Sequence, residues 1–239
     1  MSGNLMRIVG LIETSLVDWD GVLASVIFLG GCNFNCPFCH NHQVARDDPS
    51  LPELSWELIS KNLERRQRLI DGVVITGGEP LLHPEIFDLC QKLRGLRLQI
   101  KLDTNGSFPY VLKQLIELKL VDYVALDIKT RLDDKYSVAC GRKVELAPIR
   151  RTIRLLLEGG LPYEFRTTLV PGLVDPEDLT AIGEAVRSAR RFVLQQFVPK
   201  DAAVEAYRQK KPYSRASAEA MVAVLKPFVR EARLRGKFD

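Results

Sequence analysis

Three cysteines lie within eight residues of one another and give the strongest indication of a reactive centre. Cys32, Cys36 and Cys39 have C-x3-C-x2-C spacing, which allows one loop to direct three thiolates at a common centre. A zinc ion completed by His40 or His42 would make this loop a structural site, although structural zinc sites more often use paired cysteine knuckles. An iron–sulfur cluster held by three thiolates would leave one iron open to a small molecule. The spacing favours the cluster, and the zinc site remains the alternative.

The two remaining cysteines, Cys90 and Cys140, are expected to be ordinary buried or half-buried residues. Cys90 lies in an apolar stretch, and Cys140 precedes Gly141. The odd total of five, with three clustered, differs from the even and dispersed pattern of a secreted disulfide framework. The sequence therefore assigns ligand chemistry to the first three cysteines alone.

The composition predicts a globular protein with one large core. The chain has 239 residues, of which 46% are hydrophobic and 27% charged, and this balance predicts a single domain over residues 1–239. The net charge of +4 is small, and the basic residues form no patch that would indicate a nucleic-acid partner. No apolar run approaches the ~18 residues of a membrane span. The N-terminus lacks a secretion signal, so we expect a cytoplasmic protein with no membrane partner.

Short β-branched runs alternate with longer helical patterns along the chain. The runs are apolar on both faces, as in parallel strands covered by helices, and span 22–29, 73–76, 98–102, 123–128, 164–170 and 192–198. The helical patterns span about 56–70, 84–94, 109–119, 145–158, 176–190 and 217–235, the last with a kink at Pro227. These units predict an α/β fold, a partial (β/α)6 TIM-like barrel with parallel strands and outer helices. We expect its core at about residues 20–199 and a C-terminal helical extension at about 200–239.

Polar and glycine-rich motifs follow the predicted strands, where chemistry gathers in parallel α/β folds. They are Gly77-Gly78-Glu79-Pro80, Asp103-Thr104-Asn105-Gly106 and Asp127-Ile128-Lys129, with Arg166 inside the fifth strand of the series. Glycines would let the backbone approach a ligand without a Cβ in the way. Structural alternatives stay open: an Asx turn at Asn105 and Gly106, a charged pair at the sheet rim for Asp127 and Lys129, and an outward position for Arg166.

The cysteine loop, with the aromatic Phe38 before its third cysteine, resembles the signature of the radical S-adenosylmethionine (SAM) superfamily. Within that superfamily, residues 26–41, which end in Cys39-His40-Asn41, are similar to the activating enzymes of glycyl-radical enzymes. The likeness extends from about Ile8 to Phe197 and is sharpest at the ends of the predicted strands.

The resemblance implies a [4Fe-4S] cluster held by Cys32, Cys36 and Cys39, with SAM bound at its open iron. The positions expected to contact SAM are Phe38, Gly77, Gly78, Glu79, Pro80, Asp103, Thr104, Asn105, Asp127, Lys129 and Arg166. Lys129 suits the SAM carboxylate, whereas the acidic and amide side chains suit its ribose hydroxyls or, as in some activating enzymes, a monovalent cation. No side chain is expected to act as an acid or base, because the cofactors carry the difficult step.

The implied reaction is reductive cleavage of SAM to a 5′-deoxyadenosyl radical, which abstracts hydrogen from a glycine of a partner glycyl-radical enzyme. The resemblance is greatest to activators of anaerobic ribonucleotide reductase, and it implies an electron donor such as flavodoxin or ferredoxin. A short barrel open at one side suits a protein loop as substrate. Two alternatives stay open: radical SAM chemistry on a small molecule or modified nucleoside, and a zinc-stapled binding module without catalysis.

Overall fold

The computed structural model describes residues 6–239, and eight strands lie within that range. The strands are β1 (Ile8–Ser15), β2 (Ala24–Leu29), β3 (Gly72–Gly77), β4 (Gln99–Thr104), β5 (Tyr123–Asp127), β6 (Tyr163–Leu169), β7 (Phe192–Gln196) and β8 (Ala232–Arg235). They follow one another in chain order, with β1 and β8 as edge strands, so the sheet is not closed. All six predicted strands are present as β2 to β7, and the predicted α/β class is confirmed.

Nine α-helices occur among the described residues. They are α1 (His42–Ala45), α2 (Trp56–Arg66), α3 (Ile86–Gly95), α4 (Pro109–Glu117), α5 (Asp134–Ala139), α6 (Leu146–Glu158), α7 (Pro176–Ala185), α8 (Glu205–Arg208) and α9 (Arg215–Leu225). Ser55 caps α2 as predicted, because its side chain accepts a hydrogen bond from the Leu58 amide. The predicted start of α3 at Pro84 is wrong by two residues. Across residues 6–239, no helix combines the length and apolar character needed to cross a membrane.

The described residues form two compact units. The first contains the chain up to Asn33, Gln43–Thr104 and Tyr110–Val124, and the second contains Phe34–His42, Asn105–Pro109 and the chain from Ala125 onward. The single domain expected over residues 1–239, with its C-terminal extension, stays a prediction.

In the first unit, parallel pairing sets the ends of two strands side by side. β2 pairs with β3 so that Leu29 lies beside Gly77, and β3 pairs in the same direction with β4. Trp19 packs with Val26 and Val74 in a small apolar cluster. β1 pairs antiparallel with β2 and was not predicted, because much of this edge strand is exposed and its apolar pattern is correspondingly weak.

In the second unit, β6, β7 and β8 are consecutive parallel strands. The predicted helix over 217–235 is wrong in its second half, since α9 ends at Leu225 and residues 232–235 form β8. Pro227 lacks an amide proton and cannot continue a helix without losing a hydrogen bond. The chain instead turns, with the Phe228 amide bonded to the Leu225 carbonyl, and pairs Arg235 with Gln195 on the open edge of β7.

Candidate active site

The base of the cysteine loop is held by hydrogen bonds within the loop, to Arg7 just before β1 and to His83. The Gly31 amide donates to the Val44 carbonyl at 2.9 Å, which ties together the two sides of the loop. The Gly30 amide donates to the Arg7 carbonyl at 3.0 Å, and His83 Nε2 donates to the Gly30 carbonyl at 2.7 Å. The residues before Cys32 are therefore fixed from three directions. Sequence reasoning did not find the role of His83, because no local pattern links it to a residue 53 positions earlier.

The chain that leaves the cysteine loop is anchored by an ion pair. Arg7 Nη1 lies 2.7 Å from Asp47 Oδ1, and Arg7 Nη2 donates to the Leu51 carbonyl at 3.0 Å. A Cβ at Gly30 would lie 2.1 Å from Asp47 Oδ1, so only glycine leaves room for this carboxylate. The anchor lets the loop return to the same end of β2 from which it started.

The Gly77-Gly78 pair after β3 packs directly against the backbone at the end of β2. A Cβ at Gly78 would lie 1.8 Å from the Gly31 carbonyl oxygen, and Gly77 has a φ of +119°, which favours glycine. The Gly78 amide donates to the Leu29 carbonyl, and the Glu79 amide donates to the Gly31 carbonyl, both at 2.9 Å. Contact between neighbouring chain segments thus requires these glycines, whether or not they also approach a ligand as predicted.

The Glu79 side chain is fully buried and serves the turn that contains it. Its Oε1 accepts a hydrogen bond from the Leu81 amide at 3.1 Å and one from Thr104 Oγ1 at 2.7 Å. Pro80 opens the short 3-10 helix that Glu79 caps. Two predicted site residues from different strand ends are therefore brought together, and their side chains engage each other.

Asp103 lies on the opposite face of β4 from Thr104 and is paired with a buried lysine. Lys101 Nζ lies 3.5 Å from Asp103 Oδ1 and 5.8 Å from the centre of the Tyr123 ring, and it also donates to the Asp18 carbonyl. Only 1% of the Lys101 side chain is exposed. Sequence reasoning missed Lys101, although a lysine inside an otherwise apolar strand is a signal for a buried ion pair.

In the second unit, the middle of the cysteine loop packs against two later segments. The Asn35 amide donates to the Cys140 carbonyl at 2.9 Å, and the Val204 amide donates to the Pro37 carbonyl at 3.0 Å. The Phe38 ring is buried, with its centre 6.5 Å from that of Tyr207. The aromatic residue of the signature thus has a packing partner in α8.

The thiols of the loop are half-buried, and no disulfide involves any of the five cysteines, all of which lie in the described range. The Cys39 amide donates to the Cys36 carbonyl at 3.1 Å, which forms a turn between the second and third cysteines. A side-chain hydrogen bond with Cys140 lowers the pKa of Cys36, an effect that burial opposes and the charge of Lys129 reinforces. A lowered pKa favours the thiolate, which is the form that binds metals.

A charge cluster at the end of β5 and in the middle of β6 joins three of the predicted site residues. Arg166 Nε lies 2.7 Å from Asp127 Oδ1, and Lys129 Nζ lies 3.3 Å from Asp127 Oδ2. Burial alone would raise the pKa of Asp127, but the two cations outweigh it and hold that pKa well below its ordinary value. Conversely, Asp127 raises the pKa of Lys129 against the opposing effect of burial. All three groups are therefore charged at neutral pH.

The charge cluster continues to β8 through Glu164. Arg166 Nη1 lies 4.0 Å from Glu164 Oε1, and Arg235 donates two hydrogen bonds of 2.8 Å to the Glu164 carboxylate. Sequence reasoning missed Arg235 because it predicted a helix there. With Asp127 and Lys129 included, three cations face two carboxylates, so the five groups carry a net charge of +1.

Two further residues of the loop segments have clear local roles. Asn105 forms the Asx turn that was left open as its structural alternative, since its Oδ1 accepts a hydrogen bond from the Ser107 amide at 3.0 Å. Gly106 follows with a φ of +81°, and its carbonyl accepts from Thr152 Oγ1 at 2.7 Å.

His40, which follows the third cysteine, is exposed at the surface. Desolvation by the surrounding protein lowers its pKa. The charge of Asp127 acts to raise this pKa, and the charge of Lys129 acts to lower it.

Within residues 6–239, no three His, Cys, Asp or Glu side chains converge as the ligands of a single metal ion. A [4Fe-4S] cluster does not require that arrangement, because each of its thiolates binds a different iron. The donor set on the loop consists of half-buried thiols, one of them with a lowered pKa, and this chemistry fits such a cluster.

Comparison with known proteins agrees with this site. The sequence pattern of the radical SAM superfamily matches residues 26–183, which include all three clustered cysteines, and the chain belongs to this superfamily. Membership confirms the resemblance seen in the sequence and makes the chain a radical SAM enzyme, a class that uses SAM and a [4Fe-4S] cluster.

The individual relatives point to one branch of that superfamily. A Methanocaldococcus jannaschii protein whose name assigns it to the glycyl-radical enzyme activating enzymes is 34% identical over 205 residues, covering 84% of this chain and 83% of its own. The pyruvate formate-lyase-activating enzyme of Clostridium pasteurianum is 29% identical over 200 residues, covering 81% of each chain. A crystallised domain of the Bacteroides vulgatus pyruvate-formate lyase-activating enzyme shares the fold, with a TM-score of 0.56 and 20% identity over 69% of this chain and 99% of its own.

Proposed function

We propose that this protein activates a glycyl-radical enzyme by removing a hydrogen atom from a glycine Cα of that partner. The observation that carries the proposal is the cysteine loop after β2, in a chain related over most of its length to proteins named as such activators. When bound, the reduced cluster and SAM supply a 5′-deoxyadenosyl radical, which becomes 5′-deoxyadenosine on taking the glycine hydrogen. The protein itself would bind and orient the cluster and SAM and would exclude water from them.

Cys32, Cys36 and Cys39 are proposed to hold three of the four irons. The hydrogen bonds at Gly30 and Gly31 would fix the start of this loop, and those at Asn35 and Pro37 would fix its middle. A loop held at both places loses little further entropy when the cluster binds.

SAM is proposed to lie along the strand ends. The net charge of +1 on the cluster around Asp127 suits a carboxylate, and Lys129 is the group we assign to it, because Asp127 already engages Arg166 through its other oxygen. Backbone carbonyls near Gly77 and Gly78 would accept hydrogen bonds from the ammonium group. The remaining proposed contacts are Phe38, Glu79, Pro80, Asp103, Thr104, Asn105 and Arg166, of which Glu79 and Thr104 act through the turn that they support.

The proposal also covers the partner enzyme, the electron donor, a bound cation and the cellular location. An anaerobic ribonucleotide reductase is the first partner to test, and pyruvate formate-lyase is the second because several relatives carry its name. Flavodoxin or ferredoxin would supply the electron, a monovalent cation would bind near the acidic residues of the strand ends, and the protein would work in the cytoplasm.

The test is electron paramagnetic resonance of the partner. The protein is purified and reconstituted without oxygen, reduced, and mixed with SAM and each candidate partner. We expect an organic radical on one partner, with a spectrum that changes when the partner contains 13C-labelled glycine. A partner with its radical-bearing glycine replaced by alanine is the control and should give no signal.

Three other outcomes would contradict parts of this proposal. If a metabolite accelerates formation of 5′-deoxyadenosine and no partner acquires a radical, the substrate is a small molecule. Zinc without iron and sulfide in the purified protein would contradict the cluster. A radical on the alanine variant of the partner would contradict glycine as the hydrogen donor.

A further inference from the structure

Arg235 in β8 joins the last strand of the chain to Glu164 in β6. Its Nη1 and Nη2 donate hydrogen bonds, each of 2.8 Å, to the two oxygens of the Glu164 carboxylate, which is the bidentate geometry of a strong charge pair. β7 lies between these two strands in the sheet, so the Arg235 side chain reaches across it. Arg235 also lies outside residues 26–183, which match the sequence pattern of the superfamily. That pattern therefore gives it no role.

The Glu164 carboxylate lies between two arginines. Only 1% of its side chain is exposed, so its charge depends on cations of the protein rather than on water. Arg166 is two residues further along β6, on the same face of the strand, and its Nη1 lies 4.0 Å from Glu164 Oε1. Loss of Arg235 would leave two hydrogen bonds of Glu164 unmade and would strengthen its attraction to Arg166.

The position of Arg166 also affects Lys129, through Asp127. Asp127 Oδ1 lies 2.7 Å from Arg166 Nε, and Asp127 Oδ2 lies 3.3 Å from Lys129 Nζ. A shift of Arg166 towards Glu164 would weaken its bond to Asp127, and Asp127 would then attract Lys129 more strongly. One network of charged side chains thus extends from the last strand to the lysine that is proposed to bind the SAM carboxylate.

We propose that Arg235 is a positioning residue for SAM binding. By satisfying Glu164, it keeps Arg166 bonded to Asp127 and leaves Lys129 able to bind the SAM carboxylate. The inference rests on the proposed role of Lys129, and it assigns no contact with SAM or the cluster to Arg235 itself. The last strand therefore supports the SAM site without contributing a ligand.

The test is equilibrium binding of SAM to the reconstituted protein before reduction, so that no SAM is cleaved. We expect Arg235→Gln to keep the wild-type iron content and to weaken SAM binding at least about tenfold, the loss that follows when a hydrogen bond to a charged group is weakened. Adding Glu164→Gln removes the unsatisfied carboxylate, so the double variant should recover most of the lost affinity. Arg191→Gln is the matched control and should bind SAM as the wild type does, because it breaks a 2.8 Å ion pair with Glu231 at the other ends of β7 and β8.

Steady-state kinetics separate positioning from a general loss of stability. With excess reductant, formation of 5′-deoxyadenosine should show a raised KM for SAM in Arg235→Gln and a kcat near that of the wild type. Arg235→Lys keeps the charge but loses the bidentate geometry, so its KM should lie between those of the wild type and Arg235→Gln. A purely structural role would instead reduce the amount of folded protein and leave the KM unchanged.

Two results would overturn the proposal. One is a wild-type SAM affinity in Arg235→Gln with a full cluster, and the other is a double variant that binds SAM no better than Arg235→Gln. If Arg235→Gln does not fold, Arg235→Lys decides, and a wild-type affinity in that variant contradicts the proposal.

Lys129→Gln tests the proposed function separately. It should bind SAM weakly, and a wild-type affinity there would contradict the SAM contact on which the inference rests. Weak binding in Lys129→Gln together with a wild-type affinity in Arg235→Gln would contradict the role of Arg235 alone.

Discussion

Arg166 and Asp127 are joined by a hydrogen bond of 2.7 Å between the guanidinium Nε and the carboxylate Oδ1. Only 8% of the Arg166 side chain is exposed, so this charge depends on its partner for compensation. Lys129 approaches the other carboxylate oxygen of Asp127. Asp127 thus separates two cations that would otherwise repel each other, at the strand ends where SAM is proposed to bind.

We expect Asp127→Asn to destabilise the protein by about 1–3 kcal/mol, because it leaves Arg166 and Lys129 without their shared counter-charge. Urea unfolding measures the loss. Asp88→Asn is the matched control, since Asp88 forms an exposed ion pair with Lys92 on α3 and should change stability by less than about 0.5 kcal/mol. Equal effects of the two variants would contradict the structural role of Asp127.

The same carboxylate predicts a dependence of stability on pH. The folded-state pKa of Asp127 is lowered, so its stabilising contribution is complete above the unfolded pKa of about 3.9 and is lost as the pH falls towards the folded value. The difference in unfolding free energy between the wild type and Asp127→Asn should be constant from about pH 5 to pH 7 and decrease below about pH 4. A difference that grows on acidification would show the opposite sign and contradict the ion pair.

Thr104 and Glu79 give a prediction about the glycine-rich turn. Thr104→Val keeps the shape of the side chain but removes a hydrogen bond to a buried carboxylate, and it should cost about 1–3 kcal/mol of stability. If the turn helps to bind SAM, the KM for SAM should rise while the iron content stays unchanged. Thr180→Val is the control, because Thr180 donates to the Pro176 carbonyl on an exposed helix face. An unchanged KM would show that Thr104 plays no part in SAM binding.

Gly78 gives a prediction about packing alone. Gly78→Ala would place a Cβ 1.8 Å from the Gly31 carbonyl oxygen, and we expect a loss of at least about 3 kcal/mol or no folded protein, because backbone atoms cannot easily move aside. Gly95→Ala on α3 has no atom within 4 Å of the new Cβ and should raise the melting temperature slightly. Equal melting temperatures for the two variants would contradict the close approach.

The three clustered cysteines give a prediction about the metal. Replacing Cys32, Cys36 or Cys39 by alanine should abolish SAM cleavage and reduce the iron content, because each thiolate is proposed to hold one iron. Cys90→Ala should retain wild-type iron, since burial raises the pKa of Cys90 to about 12 and keeps it a neutral thiol. Iron and sulfide analysis after anaerobic reconstitution measures both effects. Full turnover in any one of the three variants would contradict its role as a ligand.

The sequence by itself determined the cysteine loop and the six parallel strands. Cys32, Cys36 and Cys39 are near neighbours in the chain, so their spacing carries the ligand chemistry without any knowledge of the fold. The strands β2 to β7 were equally visible, because a strand buried on both faces must be a continuous apolar run. The motifs after these strands could be placed at one end of the sheet by the same argument.

The tertiary structure alone decided which distant residues support that chemistry. The hydrogen bond of the Asn35 amide to the Cys140 carbonyl, the packing of Tyr207 on Phe38 and the ion pair of Arg235 with Glu164 each join residues far apart in sequence. The edge strands β1 and β8 were missed for a related reason, since an edge strand needs only one paired side and so carries a weaker apolar pattern. Local periodicity predicts whether a residue is buried. The residues that it packs against depend on the tertiary structure.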